Sequence, residues 1–513
     1  MENEIITTNQ QEINQNQTNI ENMDLTTKYI MENIDKSLII FCNPISGNQE
    51  GKIVLSIAKH YLTREQYKLI DFQYLQTEKR YEPIKSIFFE LVNKEDNAKG
   101  QKLLKYCTER CKLNKEMGQP EQFQKVRTLI AGGDGTVLSM IESFIKNGID
   151  INYCTFGHVP LGTANDLSNS LGFSDHVDIS ENDIDKLYFI LNRYYTAKFG
   201  KIDIWKLELQ LDPEEGEILT NSKNGKVPLK DNNGNLIKNY TRTFINYVSL
   251  GYDARVGYNF DSRRTHSRTR NKCIYFCEGL KKMICRKTIS VQHFIDTFTV
   301  YDSPDNSNQQ LLFDNVEINN DNNVVTSQNN LIYREKTIKF QMRSKYSLIQ
   351  NKNIINNEYL VLEGKPCSII FQNIANYMSG VRDIWGKGDP KINVEVVAPT
   401  PEEKNICTKK LDDMAKSKQT FDDKMLEVFT FDNGLETGLE KIYRGLAKKI
   451  YHGYGPMEIK FLQTPKYLKE DRKNRIYLNL DGEFFHIVKP ILLTIELNKD
   501  YCGGQLPFLI GDV

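Results

Sequence analysis

The sequence predicts an α/β domain built on a parallel sheet with flanking helices, followed by a mainly antiparallel β domain. Three observations predict it. Short apolar runs alternate with helical patterns as far as residue 200. Three of those runs end in polar, glycine-bearing loops. Beyond Lys201 the texture changes to short β-rich runs separated by polar linkers.

Residues 1–35 are rich in Asn, Gln, Glu and Thr and carry few apolar anchors, so they read as a disordered tail. Structure begins at Leu38-Ile39-Ile40-Phe41, which stops at Asn43-Pro44. The turn residues Ser46-Gly47-Asn48 follow, then the helical spacing Ile53, Leu55, Ile57, Ala58, Tyr61. Lys68–Phe72 reads as a second strand. Val126–Ala131 reads as a third, ending in Gly132-Gly133-Asp134-Gly135-Thr136, with a helix from Val137 towards Ile145. Cys154–Val159 reads as a fourth, followed by Leu161-Gly162-Thr163-Ala164-Asn165-Asp166 and a helix through Leu171. Strands alternating with helices imply a parallel sheet whose functional loops lie at the strand carboxyl ends. The expected domains are therefore 36–200 and 201–513. In the second, Phe244–Leu250, Ser368–Ile374, Asn393–Val397 and Ile476–Leu480 read as strands. Asn-heavy stretches near 221–240 and 303–330, and a charged one near 400–420, read as surface insertions, which loop entropy tolerates.

Composition narrows the function classes. Of 513 residues, Lys plus Arg and Asp plus Glu each number 67, so a neutral chain offers no global attraction to nucleic acid or anionic lipid. The 10 cysteines form no Cys-x-x-Cys pair. Cys107/Cys111 and Cys273/Cys277 are spaced four apart without His or Cys companions at zinc spacing, so they read as reduced thiols rather than metal ligands. The amino terminus lacks the pattern of a signal peptide, and no run approaches the ~18 apolar residues of a spanning helix. The longest apolar stretches, around Ile491–Leu497 and Tyr359–Leu362, are of strand length. A cytoplasmic protein is expected, one that visits a membrane if its substrate is a lipid.

The chemistry concentrates in four places. Glycines in Gly132–Thr136 let backbone N–H groups approach phosphate, and the helix start adds a favourable dipole. Asp134 would repel that phosphate unless it holds a cation or takes a proton. Leu161–Asp166 is an ordinary helix cap taken singly; its functional reading sends Thr163 and Asn165 to a nucleotide and Asp166 to metal or water. Asn43-Pro44-Ile45-Ser46-Gly47 closes the first strand, and three such strand ends converge in a parallel sheet. Asp481-Gly482 between two β runs is the usual mark of a hairpin; with Glu483 it also sets two carboxylates on one turn. No Gly-x-x-x-x-Gly-Lys-Ser/Thr loop and no protein-kinase signature occurs.

Together these motifs resemble the diacylglycerol kinase family. The Asn43–Gly47, Gly132–Thr136 and Pro160–Leu167 segments match its catalytic domain in order. The segments Asn246–Arg255, Asn271–Phe276 with Glu278-Gly279-Leu280, Asn373–Tyr377, Trp385-Gly386 and Asp481–Glu483 match its accessory domain. Ala164 stands where the family usually has glycine. The resemblance implies a nucleotide-binding α/β domain of the kind shared with NAD kinases, a β-sandwich accessory domain, and an active site between them. It implies ATP and Mg²⁺ as cofactors, diacylglycerol as acceptor and phosphatidic acid as product. Asn43, Pro44, Ser46, Gly47, Gly132, Gly133, Gly135, Thr136, Gly162, Thr163 and Asn165 would serve ATP. Asp134, Asp166, Asp203 and Asp481 would form the acidic metal network, and Glu483 would be the base, with Asp134 as second choice. Arg263, Arg264, Arg268 and Arg270 form a basic cluster that either touches anionic headgroups or is a solvated loop. Other readings are a ceramide or sphingoid-base kinase on the same fold, a catalytically silent scaffold, and an NAD kinase.

Overall fold

The computed structural model describes residues 25–44, 46, 50–61, 86–91, 98–162, 165–174, 176–177, 184–222, 225–263, 265, 268–285, 289–300, 324–326, 332–334, 359–362, 366–377, 381–382, 384, 391–392, 394–397, 401, 405, 408–409, 412, 416–443, 445–463 and 476–511. The chain divides into two compact units. One comprises Met1–Gly162, Leu171–Gly200 and Pro507–Val513; the other comprises Thr163–Ser170 and Lys201–Leu506.

In the first unit Ser37–Cys42, Val126–Gly132 and Cys154–Pro160 are buried at every position. Runs apolar on both faces suit a parallel sheet covered on both sides. Ser37–Cys42 lies between Ser86–Leu91 and Val126–Gly132, which is followed by Cys154–Pro160, and these pairings are all parallel. The chain's last strand, Gln505–Ile510, then pairs parallel with Cys154–Pro160, and Lys198–Asp203 closes the edge. The Asp134–Lys146 helix buries Val137, Leu138, Met140, Ile141 and Phe144 on one stripe. Phe144 packs its ring 4.8 Å from that of Phe41 and 6.2 Å from that of Phe156. Burying each such side chain contributes about 1.5–3 kcal/mol, which ties helix to sheet. On the Ala98–Glu116 helix Cys107 and Cys111 share one buried face, and burial raises both thiols, Cys111 to about 12.

Two features of this sheet escaped the sequence pattern. Lys68–Phe72 lies outside the described residues, and the strand beside Ser37–Cys42 is Ser86–Leu91. The carboxyl-terminal strand returns to the first sheet, a pairing of distant segments that no local periodicity encodes.

The second unit is a β-sandwich. One sheet has nine strands, in the order Lys391–Ile392, Lys448–Gly453, Leu426–Phe431, Ser368–Gln372, Tyr247–Gly251, Ile476–Leu480, Glu483–Val488, Glu217–Ser222 and Gly225–Pro228. The other runs Ile295–Val300, Met457–Phe461, Pro490–Leu497, Trp205–Leu211 and Asn239–Phe244. Pairing is antiparallel apart from Lys391–Ile392 beside Lys448–Gly453. Leu207, Phe244, Phe298, Ile459 and Ile495 from the smaller sheet share one core with Val248, Phe371, Val428, Leu478 and Ile487 from the larger.

The run Phe244–Leu250, expected as one strand, is two strands in opposite sheets. The break at Ile245-Asn246 is held by a distant carboxylate, described below. The Asn-rich stretch near 221–240 is partly an edge hairpin, Glu217–Ser222 with Gly225–Pro228, followed by a turn in which Asp231 accepts from the Asn233 and Asn235 N–H groups. Most of 303–330 and 400–420 lies outside the described residues.

Candidate active site

Parallel register sets three strand ends of the first unit side by side. Cys42 pairs with Ala131, and Gly132 with Pro160, so Asn43, Gly133 and Leu161 leave the sheet together. Hydrogen bonds join the loops: Asn43 N–H donates to Ala131 O (2.8 Å) and Leu161 N–H to Gly132 O (2.9 Å). The Asn43 amide donates to Thr136 Oγ1 at 3.3 Å. Pro44 and Ser46 are half-buried beside Asn43, whereas Gly47 and Thr163 lie outside the described residues, as do Ile45 and Ala164.

The Gly132–Thr136 turn opens the Asp134–Lys146 helix at Asp134, three residues before the expected start. Its glycines are needed for space. A Cβ on Gly132 would sit 2.7 Å from Thr136 Cβ, and one on Gly133 3.5 Å from Gly162 Cα. Gly135 faces open space, and within the turn Thr136 N–H donates to Gly133 O at 2.9 Å.

His158 stands beneath this turn, fully buried, its ring Nε2 3.0 Å from Gly132 O. A carbonyl only accepts, so Nε2 carries the proton and Nδ1 presents a lone pair. Nδ1 lies 3.5 Å from Asp134 Oδ1 and has no hydrogen-bond partner among the described residues. Burial pushes the imidazole down to about 4, so it is neutral near pH 7. A carboxylate and a nitrogen lone pair face each other, an arrangement that suits a cation between them. Sequence reasoning missed His158; its signal was a polar residue inside a strand otherwise read as buried.

The other candidate carboxylates belong to the second unit. Asp166 begins the short Asp166–Ser170 helix, and its carbonyl accepts from the Asn376 amide at 3.2 Å. Asn165 is buried just before it, at the left-handed φ of 55° that asparagine tolerates. Asp203 is fully buried; its carboxylate accepts from Lys424 N–H (2.5 Å) and Gln505 Nε2 (2.8 Å). Burial outweighs those donors and raises its carboxyl to about 7.

Asp481 and Gly482, at φ 48° and 87°, form the two-residue loop joining Ile476–Leu480 to Glu483–Val488, as Asp-Gly predicts. The Asp481 carboxylate accepts three backbone N–H groups: Ile245 at 2.8 Å, Asn246 at 2.9 Å and Tyr247 at 2.9 Å. This clamp holds the chain where it crosses between the sheets. Glu483, by contrast, is 53% exposed, with Arg242 Nη2 3.7 Å away. Of the basic cluster, Arg263 donates to Glu278 at 2.6 Å, Arg270 is exposed, and Arg264 lies outside the described residues.

Another buried carboxylate, Asp253, carried no role in the sequence reading. Asp253 Oδ2 accepts from Ser249 Oγ and from Tyr377 OH (2.9 Å), while Oδ1 is buried without a hydrogen-bond partner among the described residues. Its signal was its place in the Asn246–Arg255 motif.

Comparison with known proteins agrees with this inventory of motifs. The family model of the diacylglycerol kinase catalytic domain matches residues 37–187, and that of the diacylglycerol kinase accessory domain matches residues 243–484. Diacylglycerol kinase 7 of Arabidopsis thaliana is 25% identical over 244 residues, 44% of each chain. Diacylglycerol kinase kappa of Homo sapiens is 32% identical over 111 residues, 21% of this chain and 8% of its own. Each match thus spans less than half of the relative's length. A crystal structure of a diacylglycerol kinase from Bacillus anthracis aligns over 93% of this chain and 97% of its own, with 12% identity and a TM-score of 0.36. With both domain models matched in order over the motifs described, the chain belongs to the diacylglycerol kinase family.

Proposed function

We propose that the chain is an ATP-dependent lipid kinase that phosphorylates 1,2-diacylglycerol to phosphatidic acid. The carrying observation is that a Gly-Gly-Asp-Gly-Thr turn opens a helix in a domain of this family while the accessory-domain model matches residues 243–484. The domains are assigned as 36–200 and 201–513. Asn43, Pro44, Ser46, Gly47, Gly132, Gly133, Gly135, Thr136, Gly162, Thr163 and Asn165 are assigned to the nucleotide, whose phosphates suit a glycine-lined helix start.

Glu483 takes the proton of the lipid hydroxyl as its oxygen attacks the γ-phosphorus, and the bond from that phosphorus to the β–γ bridging oxygen breaks, releasing ADP. Being solvent-exposed, Glu483 is free to do so at little cost in stability. Asp134 is the alternative base. Mg²⁺, when bound, neutralises charge on the transferring group. Asp134, Asp166, Asp203 and Asp481 are assigned to its acidic metal and water network; oxygens of Asp203 and Asp481 also accept internal donors. No helix among the described residues is long and apolar enough to cross a membrane.

Purified protein incubated with Mg·ATP and a panel of diacylglycerol, ceramide and sphingosine micelles tests the reading. Phosphatidic acid as the main product supports it; preferential phosphorylation of ceramide or sphingosine replaces the acceptor, and no lipid product ends the proposal.

A further inference from the structure

We propose that His158 is a direct nitrogen ligand of the divalent cation at Asp134, giving a site that holds Mn²⁺ more tightly than Mg²⁺. The inference rests on Asp134 facing a cation, not on the identity of the lipid.

Four observations carry it. First, the ring is prepared as ligating imidazoles are, with one nitrogen donating to a backbone carbonyl: Nε2 lies 3.0 Å from Gly132 O. Second, the other nitrogen is unpartnered in a fully buried side chain and points at a carboxylate. A buried lone pair without a donor is destabilising unless something fills the role. Third, Nδ1 and Asp134 Oδ1 are 3.5 Å apart. An octahedral ion with bonds of about 2.1–2.3 Å spaces neighbouring ligands about 3.0–3.3 Å apart, so closure by a few tenths of an ångström brings both onto one ion. Fourth, the ring is braced at its backbone, where Tyr194 OH donates to His158 O at 2.5 Å. The strand and the Gly132 carbonyl thus hold the donor in place before any ion arrives.

The donor set decides the preference. Mg²⁺ is served best by oxygen ligands and water, whereas imidazole favours later divalent ions of the first row, and Mn²⁺ accepts both. Among the described residues no group of three His, Cys, Asp or Glu side chains is placed to hold a metal. The remaining positions therefore go to water or nucleotide oxygens.

The test uses the untagged full chain with Mn²⁺ alone, without nucleotide or lipid, followed by electron paramagnetic resonance. Bound Mn²⁺ should show ¹⁴N modulation in pulsed spectra. His158→Asn, which puts an oxygen at the Nδ1 position, should abolish that modulation and weaken Mn²⁺ by at least about tenfold. Mg²⁺ affinity, read by competition, should move less than threefold. Absence of bound Mn²⁺, bound Mn²⁺ without ¹⁴N modulation, or modulation that survives His158→Asn would each overturn the proposal. If His158→Asn does not fold, Asp134→Asn takes its place: loss of the nitrogen signal supports the shared seat, and its persistence refutes it. Since no lipid is present, failure here leaves the kinase reading to the phosphatidic acid assay.

Discussion

Replacing Asp481 by Asn separates a framing carboxylate from a purely metal-binding one. The Oδ1 atom accepts from Asn246 and Tyr247 N–H, and Oδ2 from Ile245 N–H, all three residues being less than 9% exposed. Asparagine keeps one acceptor oxygen and tolerates the left-handed φ of 48°, so backbone strain does not confuse the result. With its oxygen at Oδ1, the amide NH₂ turns a donor towards the Ile245 N–H, and one buried donor goes unsatisfied at about 1–3 kcal/mol. Asp481→Ala leaves all three N–H groups without their acceptor and forces alanine into the left-handed region. With partial relaxation that amounts to about 3–6 kcal/mol, comparable with the whole stability of many domains. Urea unfolding of both variants, with hydrogen exchange at Ile245–Tyr247, reads the effect. The clamp predicts a graded loss, Asn before Ala, with faster exchange at those three amides. Loss of activity with stability unchanged within about 0.5 kcal/mol would refute the framing role.

Other outcomes follow from the same geometry. Asp134→Asn and Glu483→Gln should each lower kcat by at least ~10²-fold, and since Glu483 is exposed its variant should unfold at the wild-type urea midpoint; near-normal turnover in either removes its role. Gly132→Ala drives a methyl into Thr136, which should raise KM for ATP and cost about 1–3 kcal/mol; an unchanged KM would show that the loop does not touch nucleotide. For Asp203, burial raises the folded carboxyl from 3.8 to about 7, so the protonated form is favoured by folding. Its stabilisation is complete below the unfolded value and is lost as pH rises through about 7, and Asp203→Asn should flatten that part of the stability–pH curve. A slope identical in wild type and variant contradicts this assignment.

The parts legible in the sequence were those written in local chemistry. Short, largely apolar runs ending at Asn43, Gly132 and Pro160 specify buried parallel strands, and their register aligns the three loops. Asp481-Gly482 named its own turn because two successive positive φ angles favour such residues. What stayed hidden depends on partners far along the chain. The Phe244–Leu250 run is apolar on both sides of Asn246, and the groups that hold its break, Asp481 on the N–H side and Asn373 on the carbonyls of Ile245 and Asn246, lie far along the chain. Gln505–Ile510 reads as any short strand, and its return to the first sheet is a long-range pairing. His158 gave a weak signal because a lone histidine in an apolar strand usually packs; only the opposing Gly132 carbonyl and Asp134 show what its nitrogens face.

The central claim is tested most directly by product analysis. Purified chain, [γ-³²P]ATP, Mg²⁺ and mixed micelles of diacylglycerol should yield labelled phosphatidic acid, with the signal falling at least ~10²-fold in Asp134→Asn. Labelled phosphatidic acid that persists undiminished in that variant, or none from the wild-type chain, would contradict the account.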